Sequence, residues 1–454
     1  MSNTTLNKSL KILFVQSSQL NDDGSIWKTK IPWLPRLALP QLAAITPDDI
    51  ETKIIDEYTE NIDFSSNADL IAISATTLQA PRAYQISKEF RKLGKKTIIG
   101  GMHASLLPEE AKQHADSVLV GEAEGVWQEV INDFRNNNLK AFYQYKGEKI
   151  DITNLSSPDL HKINLKKYKV PFRLVQTTRG CPHNCEFCAV TKFFGKSYRH
   201  RCIEDVVREL ENLDSKEIFF VDDNIAANPK RAKELFKAIA PLNISWISQC
   251  CTSIAYDEEL LELAQESGCV SLLLGLESIS SGNLKSVNKS FNKIEDYYYV
   301  IDKLHKYGIT ILGSMIFGMD HDDERVFEKT VKFVEEANID FPIYWILTPY
   351  PNTPLYTKLE EEGRIIERDW SKYDCTKVVF KPKLMSPKTL KEGYKYAYKT
   401  SYSIPAIAKR LYKSSISSPA MIDRLIKKGE VFDCLFYSLL IRHNSIKGYN
   451  PMVG

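Results

Sequence analysis

The sequence predicts an α/β protein: an N-terminal Rossmann-like, doubly wound parallel sheet, then a partial (β/α)6 barrel, with a helical C-terminal tail. Three observations predict this. Short apolar runs alternate with amphipathic stretches over 9–135, and the alternation restarts at 172. Three cysteines stand in the run Gly180-Cys181-Pro182-His183-Asn184-Cys185-Glu186-Phe187-Cys188, directly after the first apolar run of the second series. The length, 454 residues, exceeds what one hydrophobic core holds, so two or three domains are expected.

In the first series the strand-like runs fall at 10–15, 52–56, 70–75, 97–100 and 118–120. Between them, 81–93 sets Tyr84, Phe90 and Leu93 on roughly one helical face and stops at Gly94. Apolar strands separated by helices imply a parallel sheet covered on both faces. Ligands of such sheets sit beyond the strand C-termini. Those ends read Ser74-Ala75-Thr76-Thr77, Gly100-Gly101-Met102-His103 and Gly121-Glu122-Ala123-Glu124-Gly125. Small and hydroxyl residues there let a bulky ligand approach the backbone. The absence of a P-loop lysine and of G-x-G-x-x-G disfavours nucleotide binding of those kinds. Residues 136–170, polar and lysine-rich, read as a linker.

The second series places strands at 173–178, 217–221, 244–248, 270–276, 310–316 and 343–347, with helices at 203–213, 257–267 and 293–307 among the connections. Six such units suggest a partial parallel barrel, whose chemistry belongs at the strand C-termini. The expected domains are therefore 1–135, a linker 136–170, a barrel 171–386 and a basic tail 387–454. The tail holds twelve Lys or Arg against four Asp or Glu, with an apolar run at 431–441 containing Phe432, Leu435, Phe436, Leu439 and Leu440. That run is too short to span a bilayer. It fits a helix packed on the barrel, or peripheral contact with a membrane surface or a greasy substrate.

The cysteine spacing is C-x3-C-x2-C. Three thiolates on one loop can hold three corners of a 4Fe-4S cluster and leave the fourth iron without a protein thiolate. A structural zinc site would need a second ligand pair, and a ferredoxin-type run a fourth nearby cysteine. Nine cysteines without a secretory signal fit a reducing, cytoplasmic setting rather than disulfides. A net charge of +2 offers no basic field for nucleic acid.

Gln176-Thr177-Thr178-Arg179-Gly180 followed by the three cysteines resembles the cluster loop of radical S-adenosylmethionine (radical SAM) enzymes. In that family the fourth iron chelates the amino and carboxylate groups of S-adenosylmethionine, and electron transfer cleaves a C–S bond to give a 5′-deoxyadenosyl radical. The resemblance implies that Cys181, Cys185 and Cys188 hold the cluster and that Phe187 packs near the adenine. Asp222 and Asp223, after the second strand, match the position that meets the methionyl ammonium. Glu277 and Ser278 resemble the ribose or carboxylate contacts. Ser314 lies in a glycine-containing segment, 313–318, beside the cofactor. The first domain, above all 100–127, resembles the cobalamin-binding domain that precedes many radical SAM cores. By that resemblance Ser74, Thr76 and Thr77 line the nucleotide tail, and Gly100, Gly101, His103, Gly121 and Glu122 flank the tail or the corrin. The D-x-H-x-x-G motif that gives cobalt an axial histidine in some cobalamin proteins is missing from 16–24. His103 is accordingly expected to hydrogen-bond or pack rather than ligate.

What the resemblance implies overall is a cobalamin-dependent radical SAM enzyme, with methylation of an unactivated carbon or phosphorus as the leading expectation. It would take a small-molecule or lipid-like substrate and an electron donor such as flavodoxin or ferredoxin. Radical cyclisation, hydroxylation or rearrangement of a tetrapyrrole or lipid-like substrate is the enzymatic rival. A non-catalytic cobalamin or redox sensor is the rival of another class.

Overall fold

The computed structural model describes residues 10–28, 34–168, 172–417, 438–439 and 441–442. It divides the chain into two compact units, Met1–Val170 with Asp369–Ser371, and Pro171–Arg368 with Lys372–Gly454.

The first unit is built on β1 (Lys11–Gln16), β2 (Glu51–Asp56), β3 (Leu70–Ser74), β4 (Lys96–Gly100), β5 (Ser117–Val120) and β6 (Phe142–Gln144). All pair in parallel, in the order β2-β1-β3-β4-β5-β6. Alternation along β1 explains the two-sided core. Ile12 and Phe14 pack with Leu39, Leu42, Trp127 and Val130 on one face, and Leu13 and Val15 share the other with Ala83, Ile86 and Phe90. The helices that supply those residues are α1 (Ala38–Ala44), α2 (Ala80–Lys92) and α5 (Trp127–Arg135), with α3 (Met102–Leu106) and α4 (Pro108–His114) between β4 and β5. Because β3 lies on the far side of β1 from β2, the chain reverses direction there, and a crevice is expected at the C-terminal ends of β1 and β3.

One expectation is corrected here. Residues 136–170 were expected as a linker, yet Phe142–Gln144 forms the sixth strand, and Tyr143 and Ile152 are buried. The strand is short and set among polar residues, and those surroundings hid it.

The second unit carries β7 (Arg173–Val175), β8 (Thr178–Arg179), β9 (Arg199–His200), β10 (Glu217–Phe220), β11 (Ser245–Cys250), β12 (Cys269–Glu277), β13 (Thr310–Phe317) and β14 (Phe341–Ile346). Six of these form a parallel sheet in the order β14-β13-β12-β11-β10-β7, while β8 and β9 make a small antiparallel ladder. Its helices are α6 (Ala189–Phe194), α7 (Ile203–Glu211), α8 (Pro229–Ile239), α9 (Glu258–Glu266), α10 (Ser281–Ser286), α11 (Tyr297–Lys306), α12 (Val326–Glu336) and α13 (Pro354–Glu361). Side-chain caps set several starts: Asn228 accepts from Arg231 N, Asp257 from Leu260 N and Thr353 from Tyr356 N.

The tail is helical where it is described, as α14 (Pro387–Ser401) and α15 (Ile404–Ser417). Tyr398 and Tyr402 tie α14 to β14, Tyr344 N donating to Tyr398 Oη at 3.0 Å and Tyr402 Oη to the Pro342 carbonyl at 2.9 Å. Most of the apolar run 431–441 lies outside the described residues. Among the described residues no helix is long and apolar enough to cross a membrane.

Candidate active site

In the second unit, the chain leaves β7 and folds back through the β8–β9 ladder, which sets Thr178 opposite His200 and Arg179 opposite Arg199. The three cysteines stand on the loop this ladder closes. Asp222, just past β10, fixes the loop's base: its carboxylate accepts from Thr177 N at 2.7 Å, from Thr178 N at 3.0 Å and from Thr177 Oγ1. Asp223 accepts from Gly180 N at 3.0 Å. Gly180 has φ +85°, and a Cβ there would lie 2.1 Å from the Ser197 carbonyl oxygen, so only glycine fits. Cys185 is buried and Cys181 and Cys188 are partly so. Burial pushes all three thiols up, Cys185 to about 11. A thiol so desolvated gives up its proton when iron binds it. Among the described residues no three His, Cys, Asp or Glu converge on one ion. A cubane does not ask for that, since each thiolate binds a different iron.

The neighbouring strand ends bring a polar network together. Glu277 closes β12 with φ +68° at a register shift against β13. Left-handed backbone at a non-glycine residue is held only by its surroundings, and such strain gathers at functional sites. Here Asn292 Nδ2 donates to the Gly275 carbonyl at 2.8 Å, and Tyr297 Oη to the Leu276 carbonyl at 2.8 Å. The Glu277 carboxylate receives Lys289 Nζ at 2.8 Å and Ser314 Oγ at 3.1 Å, and Trp345 Nε1 donates to Ser314 Oγ at 3.1 Å. Glu277 and Ser314, both expected from sequence, thus meet. Lys289 and Trp345 were missed, for no motif spacing marks either.

Asp222 and Ser278, both expected to meet S-adenosylmethionine, also serve the fold. Both oxygens of Asp222 accept from its own chain, and the Ser278 hydroxyl accepts from Ser280 N at 3.1 Å and Asn283 Nδ2 at 3.2 Å, which holds the turn into α10. Asp223 uses Oδ2 on Gly180, which leaves Oδ1 for a cation, and burial raises it to about 6. Phe187 is half-buried beside Cys188. Cys250 is buried and Cys251 accepts from Asn224 Nδ2 at 3.1 Å, in keeping with thiols used in packing.

In the first unit the crevice is lined as its topology demands. Gln16 Oε1 at the end of β1 and Thr77 Oγ1 after β3 are buried without a hydrogen-bond partner. Gln16 Nε2 donates to Gln79 Oε1 at 3.2 Å, and Gln79 Nε2 to Tyr58 Oη at 3.0 Å. Gly101 has φ +95°, and a Cβ would lie 2.7 Å from the Ala75 carbonyl oxygen; the turn after β4 closes on β3 only as glycine. Gly100 precedes it, in ordinary contact with Leu119. His103 is buried, and Glu110 Oε1 lies 3.1 Å from its Nε2. The same carboxylate accepts from Trp370 Nε1 at 3.1 Å and Tyr84 Oη at 2.9 Å. Glu110 therefore places the imidazole proton on Nε2, and Nδ1 is left buried without a partner. A Cβ at Gly121 would meet open space, and Glu122 is buried next to it. Thr76 differs from expectation: its amide and hydroxyl both donate to Gln79 Oε1, closing a capping box. At Ser74 it is the carbonyl that is engaged, by Ser17 N and Ser17 Oγ. Orphaned polar atoms at three strand ends fit a large ligand rich in hydrogen-bonding groups, such as cobalamin.

Comparison with known proteins bears on both units. Residues 175–334 match the radical SAM superfamily, 35–131 a B12 binding domain, and 353–428 a domain of unknown function, DUF4070. The bacteriochlorophyllide d C-12(1)-methyltransferase of Chlorobaculum tepidum is 34% identical over 409 residues, 87% of each chain. The bacteriochlorophyllide d C-8(2)-methyltransferase of the same organism is 33% identical over 371 residues, covering 77% of this chain and 82% of that one. Among solved structures, a radical SAM methyltransferase, TsrM, from Kitasatospora setae shares the fold at a TM-score of 0.65, with 16% identity and 78% of each chain covered. On this footing the chain belongs to the cobalamin-binding radical SAM enzymes, whose cofactors are a 4Fe-4S cluster, S-adenosylmethionine and cobalamin.

Proposed function

We propose that the protein transfers a methyl group from S-adenosylmethionine to an unactivated carbon of a small-molecule substrate. The observation that carries this reading is the joint presence of the three-cysteine loop and the cobalamin-type crevice in one chain similar, over most of its length, to two carbon methyltransferases. The bound cofactors supply what side chains cannot, a radical able to open an inert C–H bond and a methyl group to place there. Cys181, Cys185 and Cys188 anchor the cluster. Asp223 Oδ1 accepts from the ammonium of S-adenosylmethionine, and Glu277 and Ser314 orient its polar end. Thr77, Gln16 and His103 Nδ1 hold polar groups of cobalamin, Gly121 leaves room for its bulk, and Gly100 and Gly101 let the turn after β4 close beside it. Phe187 covers the adenine. The two Chlorobaculum tepidum relatives are named for bacteriochlorophyllide d, a tetrapyrrole, and a substrate of that flat, apolar kind is the first to try.

The test is anaerobic turnover of cobalamin-loaded, reconstituted protein with methyl-deuterated S-adenosylmethionine. A product heavier by the labelled methyl group, with 5′-deoxyadenosine and S-adenosylhomocysteine released in equal amounts, is the expected result. Turnover that consumes substrate with no label in the product would replace methylation with cyclisation or rearrangement.

A further inference from the structure

The reaction as proposed gives the Lys289 ammonium no part, yet the chain around it is built onto the cysteine loop. Residues 287–291 touch that loop at both ends. The Val287 carbonyl accepts from Glu186 N at 3.1 Å, and the Phe291 ring stacks on His183 with 3.8 Å between centroids and 13° between planes. Asn288 turns the segment at φ +56° and reaches Glu186 Oε1 at 3.4 Å. Between these anchors Lys289 is 7% exposed, its Nζ 2.8 Å from Glu277 Oε1 and 5.6 Å from the Phe291 ring centre. Gly275 lies opposite the pair. A Cβ there would lie 2.7 Å from Lys289 Nζ and 2.5 Å from Glu277 Oε1.

A buried ion pair adds little to stability over an apolar pair of the same volume. What it does supply is a fixed charge of known sign in a low-dielectric place. Burial alone would lower the Lys289 ammonium's pKa. The Glu277 carboxylate, 2.8 Å away, outweighs that and keeps it charged. Adding an electron to a thiolate-ligated cluster makes it more negative. A nearby positive charge then favours the reduced state, and a negative one opposes it.

We propose that Lys289 is a positioning charge for the cluster, pinned to the cysteine loop by 287–291, that raises the potential at which the cluster accepts its electron, with Glu277 acting in the opposite sense. The inference rests on the assignment of Cys181, Cys185 and Cys188 as cluster ligands.

The experiment is a redox titration of the anaerobically reconstituted full chain, without S-adenosylmethionine, followed by EPR. Lys289→Met is expected to lower the potential, Glu277→Gln to raise it, and the double variant to return close to the parent. Lys289→Arg keeps the charge and should keep the potential. A merely structural lysine would not produce shifts of opposite sign. Shifts in the same direction, or none, would overturn the proposal. If Lys289→Met takes up no iron, the rise with Glu277→Gln and the constancy with Lys289→Arg decide it, and absence of the rise overturns it. Failure of the parent protein to bind a cluster would instead overturn the cysteine assignment, and iron analysis separates the two.

Discussion

At Gly180 a side chain has nowhere to go, because the Ser197 carbonyl occupies the place a Cβ would take. Gly180→Ala is therefore expected to cost about 1–3 kcal/mol in backbone strain and to lower the iron bound per chain, as measured by colorimetric iron assay. Cys185→Ala goes further. It should abolish both the iron–sulfur absorbance and 5′-deoxyadenosine release, and survival of either would count against the ligand assignment. Thr77 tests the crevice. Its hydroxyl is buried without a partner, so Thr77→Val removes an unmet polar group. Stability of the cobalamin-free protein should hold or rise by about 1 kcal/mol, while retention of cobalamin through gel filtration falls. A loss of stability with unchanged cobalamin retention would mean that the hydroxyl serves the fold instead. The cysteines were legible in sequence because one short loop carries all three. Lys289 and Glu277 are twelve positions apart, on either side of α10, and nothing in their spacing announces that they meet. Gln16 was passed over for a related reason, since its partner Gln79 comes from another strand's end.

Among the elements, sequence alternation located five strands of the first sheet and all six of the second, because their apolar runs stand between helical patterns. The sixth strand of the first sheet, Phe142–Gln144, is short and set among polar residues, and reads with them. The end of β12 holds what alternation does not show. The expected strand, 270–276, stops one residue short of Glu277, where the register shifts and the backbone turns left-handed. Carbonyl bonds from Asn292 and Tyr297 brace that departure, and both residues follow α10 in the chain. One element also carries a pH signature. His305 on α11 is buried, with Nε2 2.9 Å from Asp340 Oδ2 at the start of β14. Burial alone would lower the imidazole's pKa, but the Asp340 carboxylate outweighs it and holds it above its ordinary value. A raised histidine stabilises the fold below the unfolded value, about 6.5, and that contribution is lost as pH climbs through the folded one. Thermal melts should therefore show the parent losing stability above about pH 6.5 relative to His305→Gln, whose profile there is flatter. Parallel profiles would contradict the assigned charge.

For the molecule as a whole, the sequence made the two-part plan legible through its two series of strands and helices, and the comparisons agree with the pairing of a B12 binding domain and a radical SAM core. Less legible was which chemistry-bearing residues serve the fold. Asp222, Thr76 and Ser278 look like ligand contacts in a linear reading because Asp, Thr and Ser at strand ends serve turns and ligands alike. In the described chain all three make hydrogen bonds that fix turns, a role the linear reading does not separate from ligand contact. Ligand binding should also register globally. Cobalamin binds the folded chain and not the unfolded one, so saturating cobalamin should raise Tm with excess ligand by mass action. That rise should shrink in Gly101→Leu, whose side chain would collide with the Ala75 carbonyl.

The central claim concerns the cysteine loop. Metal analysis of the anaerobically reconstituted protein, joined to EPR of its reduced form before and after addition of S-adenosylmethionine, tests it most directly. The account predicts about four irons per chain and a signal that changes when S-adenosylmethionine is added. Zinc in their place, or a signal indifferent to S-adenosylmethionine in excess, would contradict it.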